Sequence, residues 1–335
     1  MADSMQNITE NNCPGQWMSK EHKPALVSVI IPTYNRAGLV GRAIQSVLDQ
    51  TYQNFEIITV DDASTDDTEK VVRNFEDSRI RYVRLNGNRG APFARNYGVK
   101  IANGQYISLL DSDDYYLPDK LALQVEALRT DSDAGLVYSN ILEERNNIKG
   151  RIRYDPKTFE SGYLFENILL RNIHCRLPTW LIKRECFLSI GGFDEKLPML
   201  QDRDFIVRFS CRYKLLVVPL PVAVVVFHKD TRISNASAEV KEYACNRVLN
   251  KISRLVEEGN HSPVLIKKMT SLYSFLIGKA YLAEGNFPKA RYYFLKALSS
   301  NPLNYKVYPY LISSVNRYLY YLMKKAKNIS TKSFR

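Results

Sequence analysis

The chain is poor in the residues that build metal–thiolate centres and disulfide scaffolds. It has five cysteines and four histidines among 335 residues. The cysteines stand at Cys13, Cys175, Cys186, Cys211 and Cys245; none forms a CxxC pair and their number is odd. That pattern suggests neither a zinc site nor a disulfide framework, and scattered thiols fit a reducing cytosol. Long apolar runs are lacking too. The longest, Leu215 to Phe227, is interrupted by Pro219 and Pro221 and is too short to span a bilayer. Residues 1–24 are polar and contain no apolar signal-peptide core, so they read as a loose leader and the expected location is cytoplasmic. No GxGxxG follows the first strand-like run, which removes the dinucleotide-binding fingerprint. No aromatic–basic motif of the RNP type and no helix-turn-helix pattern occurs, so nucleic acid is not an expected partner.

Acidic residues are outnumbered, 35 against 47 Lys and Arg, for a formal charge of +12. Such an excess suits polyanionic company: nucleic acid, an anionic membrane surface or phosphorylated small molecules. A solvated basic surface that only keeps the protein soluble explains it equally well. What is present in quantity is apolar material, 45% of residues, enough to bury a full core.

The apolar residues alternate between strand-like and helix-like spacing. Strands are expected at Val27–Ile31, Phe55–Val60, Ile80–Val83 and Gln105–Leu110, and helices at Arg36–Gln50, Asp66–Phe75, Pro92–Ala102 and Pro118–Arg129. Alternation at this spacing means βαβ units, right-handed crossovers and a doubly wound, mainly parallel α/β sheet. Residues 135–230 are more mixed. Strands are expected at Gly135–Asn140, Thr179–Ile182, Lys214–Val218 and Val222–Phe227, and helices at Leu164–Leu170 and Arg203–Cys211. From about Ala236 onward the pattern is almost entirely helical. Ala280 to Leu298, followed by Asn301-Pro302, resembles a single tetratricopeptide unit, which needs neighbours to bury its faces and so reads as a helical cap. The stretch Tyr305–Lys327 carries Arg317, Lys324, Lys325 and Lys327 among Tyr, Leu and Val; it is either a helix packed on its own protein or an amphipathic helix touching anionic lipid.

The acidic residues fall where the strands end. The first strand runs into Pro32-Thr33-Tyr34-Asn35-Arg36, the second into Asp61-Asp62-Ala63-Ser64, the fourth into Asp111-Ser112-Asp113-Asp114. Ligands of open parallel sheets bind beyond the carboxyl ends of the strands, so the three clusters share one rim. Clustered carboxylates need a cation, hydrogen-bond donors or raised pKa values. Oxygen ligands without histidine suit Mg2+ or Mn2+ and not zinc. Asp111 and Asp113, two residues apart in extended chain, point the same way. Asp66 and Asp67 read as helix caps. Arg95 falls in the first turns of a helix, within reach of a phosphate or base.

Several motifs occur together and in order: Val29-Ile-Ile-Pro-Thr-Tyr-Asn35, Val60-Asp-Asp-Ala-Ser-Thr-Asp66, Asn88-Arg-Gly90 with Ala94-Arg-Asn96, Leu110-Asp-Ser-Asp-Asp114, Gly191-Gly-Phe-Asp-Glu195 and Gln201-Asp-Arg-Asp-Phe205. Over residues 26–235 the sequence resembles the family 2 glycosyltransferases of GT-A fold. The resemblance implies a glycosyltransferase domain over 25–235, with a nucleotide-binding half to residue 130, an acceptor half from 131, and a helical extension over 236–335. It implies an inverting transfer of a hexosyl or N-acetylhexosaminyl group from a nucleotide-diphospho-sugar, with a UDP-sugar as first choice. The acceptor would be a glycan or glycolipid in surface polysaccharide synthesis. Pro32, Thr33, Tyr34 and Arg36 would border the base and ribose, with Asp62 and Asp61 beside them. Arg95 would help hold the nucleotide. Asp111 and Ser112 would lie near the ribose, and Asp113 would be the main ligand of Mn2+ or Mg2+, with His228 near the diphosphate as a further metal ligand. The catalytic base would be Asp202. The family usually has a Glu-Asp pair there and this chain has Gln201-Asp202, which puts secondary acceptor contacts in doubt; Asp204 is the runner-up. A sugar nucleotidyltransferase is the competing enzyme class, although no glycine-rich loop follows the first strand. A nucleotide-sugar-binding scaffold is the non-enzymatic alternative.

Overall fold

The computed structural model describes residues 24–145, 148–227 and 236–315. The first half alternates as its periodicity predicts. Val27–Thr33 (β1), Val40–Leu48 (α1), Phe55–Asp61 (β2), Thr68–Arg73 (α2), Ile80–Arg84 (β3), Ala91–Ile101 (α3) and Tyr106–Leu109 (β4) follow one another. The β1 strand is buried along its whole length, which is why it is a continuous β-branched run without polar alternation. Tyr115–Tyr116 (β5) and Lys120–Thr130 (α4) lead into the second half. That half contains Ala134–Arg145 (β6), Ile148–Ile152 (β7), Phe165–Leu169 (α5), Leu181–Lys183 (β8), Arg184–Ser189 (α6), Gln201–Ser210 (α7) and Lys214–Phe227 (β9).

One nine-stranded sheet holds all the strands, in the order β3-β2-β1-β4-β8-β6-β9-β5, with β7 paired to β6. The β1, β2, β3 and β4 strands are mutually parallel. Beyond β4 the sheet is mixed: β8 runs antiparallel to both β4 and β6, while β6 and β9 are parallel. The sheet is thus α/β and doubly wound, purely parallel in its first half and mixed in its second.

Two expectations about strands need correction. Lys214–Val218 and Val222–Phe227 are one strand, β9, not two. The register against β6 jumps from Ser139↔Val218 to Asn140↔Pro221, so Pro219 and Leu220 are carried in a bulge where a proline needs no ladder partner. β6 also runs five residues past the expected end at Asn140, as far as Arg145. Helix starts differ as well. α1 begins at Val40 and not at Arg36, because the Arg36 and Ala37 N–H groups donate to Thr68 Oγ1 and Asp66 Oδ2 across the loop.

Ala238–Glu258 (α8), Pro263–Ala283 (α9), Phe287–Ser300 (α10) and Tyr308–Ser313 (α11) complete the described chain. The stretch Ala280–Leu298 falls on the end of α9 and most of α10, which pack as a helical pair. The two helices approach closely at Gly278, where a Cβ would stand 2.6 Å from the Phe294 ring. These helices do not form a separate core. Val248, Ile252, Tyr273 and Phe294 belong to the same buried cluster as Ile30, Trp180 and Phe205. Among the described residues no helix is long and apolar enough to cross a membrane. Arg317, Lys324, Lys325 and Lys327, the basic part of the suggested membrane-contacting helix, lie outside the described residues, as does His228.

Candidate active site

The loops after β1 and β2 are laced into one rim. Asn35, at φ 51°, donates its N–H to Ser64 Oγ at 2.9 Å and accepts from the Thr65 N–H at 2.8 Å. The Thr33 carbonyl accepts from the Asp62 N–H. Asp66 accepts from the N–H groups of Ala37 and of Thr68, the first residue of α2, so it caps that helix as expected, whereas Asp67 at the N-cap position makes no side-chain cap hydrogen bond. Pro32 and Thr33 are buried, Arg36 is half-buried and Tyr34 is exposed on the rim. Thr33 Oγ1 is buried without a hydrogen-bond partner among the described residues, a cost of about 1–3 kcal/mol that is tolerated mainly at functional sites.

The paired aspartates have duties the sequence did not reveal. Asp61, expected with Asp62 beside the base or ribose, is fully buried. Its carboxylate accepts from the Ser64 N–H at 2.8 Å and from the Tyr82 hydroxyl, which leaves it facing the protein and not the cleft. Asp62 uses both oxygens, each at 2.7 Å, to bind the N–H groups of Arg89 and Gly90. Gly90, at φ 88°, is the residue from which α3 starts. Asp62 therefore fixes the origin of the helix that carries Arg95. The Arg95 guanidinium is buried and pairs at 2.5 Å with Asp111 at the end of β4. That contact uses one terminal nitrogen of the guanidinium, and the Nε is buried without a partner among the described residues.

The Asp111–Asp114 turn gathers negative charge. Burial pushes the Asp114 carboxyl well above its usual range, and the neighbouring Asp111 and Asp113 push it the same way. The Val226 N–H donates to Asp114 at 2.9 Å and ties the turn to β9. Arg42 of α1 donates to the Asp113 carbonyl at 2.9 Å and reaches Glu144 of β6 at 3.5 Å. Ser112 is buried between the two aspartates. This donor set is all oxygen, and its mutual repulsion would be relieved by a hard divalent cation. Among the described residues no three ligand-type side chains converge on a point. An ion that takes one or two carboxylates and completes its shell with phosphate and water suits such a set.

Asp202 lies in the first turn of α7. It opens on a cleft of about 360 Å³ lined by Arg153, Tyr154, Arg171, His174 and Arg176, among others. Its one hydrogen bond among the described residues is to Oδ1, from the Arg203 N–H at 2.8 Å. Arg203 itself is spent on the Ile168 and Leu169 carbonyls, which pins the end of α5 beneath the cleft. The runner-up Asp204 is buried and bound by Arg208 and Lys251, a structural assignment. Leu200, just before α7, and Arg171, just after α5, both have left-handed backbone, with φ near 65° and 62°. Non-glycine residues in that region are strained, and such strain gathers at functional sites.

Two threads join the Asp113 turn to the Asp202 cleft. Along β6, Glu144 accepts from the Tyr115 hydroxyl beside the aspartate turn, while its neighbour Glu143 pairs with Arg153 in the cleft. Through the core, the Arg95 guanidinium lies 5.7 Å from the Phe193 ring centre, and that ring lies 4.8 Å from Phe205 of α7. The loop bearing Phe193 is held by Asn96, whose amide oxygen accepts from the Phe193 N–H and whose nitrogen donates to its carbonyl. Gly192 is required there: at φ 66°, a Cβ would meet Asn96 Oδ1 at 2.6 Å. Asp194, next in the loop, is clamped by Arg247 and Lys251 of α8 at 2.6 Å each. Lys251 also reaches Asp204 of α7 at 2.8 Å. The helical extension is thereby bolted to the helix that carries Asp202. Asp194 and Asn96 stood in recognisable motifs, but their bracing role depends on α8, which no local pattern announces.

The mixed sheet with its flanking helices is a GT-A fold. The chain superposes on S. aureus TarS 1–349 in complex with UDP-GlcNAc with a TM-score of 0.60 and 20% identity, covering 86% of this chain and 79% of that one. It superposes on the mannosyltransferase PcManGT from Pyrobaculum calidifontis, in complex with GDP-Man and Mn2+, with a TM-score of 0.57 and 20% identity, covering 89% and 86%. Residues 28–187 match the model of glycosyl transferase family 2, so nearly half of the chain is similar to that family. Its relatives include the Escherichia coli UDP-Glc:alpha-D-GlcNAc-diphosphoundecaprenol beta-1,3-glucosyltransferase WfaP, 38% identical over 42% of this chain and 56% of that enzyme. The chain spans about half the length of the first curated relatives it matches, 56%, 43% and 58%.

Proposed function

We propose that the chain transfers a sugar, with inversion, from a nucleotide-diphospho-sugar to a hydroxyl of a glycan or lipid-linked glycan acceptor. The observation that carries this reading is the presence of two unlike acidic sites, one on a loop after a strand of the sheet and one on the helix α7. One is a crowded carboxylate turn at Asp111–Asp114; the other is a single, lightly bonded carboxylate, Asp202, in a cleft of its own. A UDP-sugar is the first candidate donor, supported by the likeness to enzymes whose names carry UDP-Glc and UDP-GlcNAc.

In this reading the donor lies over the β1–β2 rim. Tyr34 covers the base, and the unpartnered Thr33 hydroxyl receives a hydrogen bond from, or donates one to, the nucleotide. Arg95 orients Asp111 toward the ribose. Asp113, with Asp111 beside it, would hold Mn2+ or Mg2+, whose charge would offset that of the departing diphosphate. Asp202 Oδ2 takes the proton of the acceptor hydroxyl as that oxygen attacks the anomeric carbon from the face opposite the diphosphate. The attacking bond forms as the bond to the diphosphate breaks, and the nucleotide leaves without needing a proton, so one carboxylate suffices. The acceptor is processed at a cytoplasmic membrane face, a placement supported by the relative's lipid-linked substrate.

A panel of nucleotide sugars incubated with Mn2+ and the protein tests this. Release of a nucleoside diphosphate from one sugar nucleotide is expected. Release of pyrophosphate from a nucleoside triphosphate and a sugar phosphate would favour the nucleotidyltransferase class instead. No turnover of any sugar nucleotide, with UDP failing to raise the melting temperature, would leave the reading without support.

A further inference from the structure

The Asp202 cleft is far more cationic than deprotonating a neutral sugar hydroxyl requires. Arg153, Arg171, Arg176, Arg203 and His174 line it beside the single carboxylate Asp202. Two of these cations are already committed: Arg203 to carbonyls of α5, and Arg153 to Glu143 at 3.2 Å. Arg171 and Arg176 are exposed toward solvent, and neither has a carboxylate within ion-pair distance among the described residues. Both are nevertheless positioned. Arg176 Nε donates to the Tyr154 hydroxyl at 3.0 Å, and Tyr154 stacks on His174 with ring centres 4.0 Å apart. Arg171 is held in strained left-handed backbone at the end of α5. Burial lowers the His174 pKa, and the fields of Arg176, Arg153 and Arg171 lower it further, so these guanidinium groups act together at one place.

The cleft's four guanidinium groups face two carboxylates, Asp202 and Glu143, both of which favour the charged form of Arg176, so a ligand with further negative charge would relieve the repulsion that remains. Their planar forks match the oxygens of phosphate esters, and several forks around one cleft suit a group with several anionic oxygens better than a single carboxylate. We propose that this cleft holds the acceptor by a phosphate or diphosphate ester, gripped by Arg171 and Arg176, while Asp202 faces a hydroxyl of the sugar that carries the ester. The inference rests on the reading of Asp202 as the acceptor-side base, and it names the acceptor class: a phosphorylated or diphosphate-linked sugar. The donor's own diphosphate is the other source of the same chemistry, so the test must fill the donor pocket first.

The binding arm uses methyl diphosphate as probe, titrated by calorimetry into full-length protein saturated with UDP and Mn2+. Binding is expected in the wild type, weakened about tenfold in each of Arg171→Gln and Arg176→Gln, the loss of about one charge-assisted hydrogen bond. Arg171→Lys and Arg176→Lys are expected to recover part of the affinity. That recovery, with unchanged melting temperatures, separates charge from folding. Equal affinity in the Gln variants, binding abolished by UDP saturation, or tighter binding of glucuronate than of methyl diphosphate would overturn the proposal. The kinetic arm compares a diphosphate-linked sugar acceptor with its neutral glycoside. The Gln variants should raise the acceptor KM for the former more than they lower kcat, and leave the donor KM alone. A wild type that transfers to no acceptor would count against the enzymatic reading alone, since the binding arm still decides whether the arginines take a phosphate ester.

Discussion

The two halves of the sheet solve the problem of clustered charge in opposite ways. In the β1–β4 half, carboxylates are crowded and most are answered internally. Asp61 is answered by Ser64 and Tyr82, Asp62 by two backbone N–H groups, and Asp111 by Arg95. At the end of the turn, burial and the neighbouring Asp111 and Asp113 push the Asp114 carboxyl well above its usual range. In the β6–β9 half, the cations are crowded and one carboxylate, Asp202, stands among them. The first half ends in a crowded carboxylate turn; the second holds an open basic cleft with one carboxylate in its lining. The comparison teaches that a carboxylate named in a motif can act by bracing the loop that presents another.

The sharpest way to break the comparison is at the lone acid. Asp202→Asn should lower turnover by about 10²–10⁴-fold while donor binding persists. Initial-rate assays and UDP titration read the two separately, and near-normal turnover would remove Asp202 from the reaction. Next in size is the aspartate turn. Asp113→Asn should weaken Mn2+-dependent binding of UDP by at least about tenfold, judged by thermal shift with and without the metal. An unchanged shift would show that the negative turn is not a cation site.

The bracing between the halves should cost stability more than chemistry. Asp194→Asn removes the carboxylate from the Arg247–Lys251 clamp and should destabilise the fold by about 1–3 kcal/mol, less than for a fully buried pair because both cations are partly exposed. Burial alone would raise the Asp194 pKa, but hydrogen bonds from Arg247 and Lys251 outweigh it and hold the carboxyl well below its usual range. Because the folded pKa lies below the unfolded one, its stabilisation is fully present above about pH 5. It is lost as pH falls from about 4 through the folded value. Melting curves of wild type and Asp194→Asn should therefore differ by a constant amount at neutral pH and converge in acid; a gap that persists in acid would sink the linkage. The smallest effect is expected at the strained rim. Ala63 has φ 67°, so Ala63→Gly relieves a left-handed conformation at some cost in chain entropy, for a net gain under about 1 kcal/mol. A clear loss of stability would mean the Ala63 methyl packs more than its backbone strains.

Much of the first half was legible because its information is local. Strand and helix periods, and the acids at strand ends, lie within a few residues of each other, so β1 to β4 and the helices between them came out in order. The outward or inward aim of those acids was not legible. Asp61 and Asp62 are adjacent in sequence, yet one is spent on Tyr82 of β3 and the other on the start of α3. The second half was read less well because its elements are set by partners far along the chain. The two prolines of β9 suggested two strands, and only the bulged register against β6 carries a single strand across them.

The sequence by itself determined the fold class, the positions of the carboxylates at the strand ends, and the presence of an acid opening a late helix. These follow from periodicity and from backbone geometry, both short-range. Only the tertiary structure decided that Asp204 is a strut while Asp202 is open, and that Arg95 serves Asp111. It also decided that Arg171 and Arg176 share a cleft and that α8 braces α7. The reason is physical: the duty of a charge is fixed by which opposite charge or donor comes within about 3–4 Å, and packing, not spacing along the chain, sets that distance.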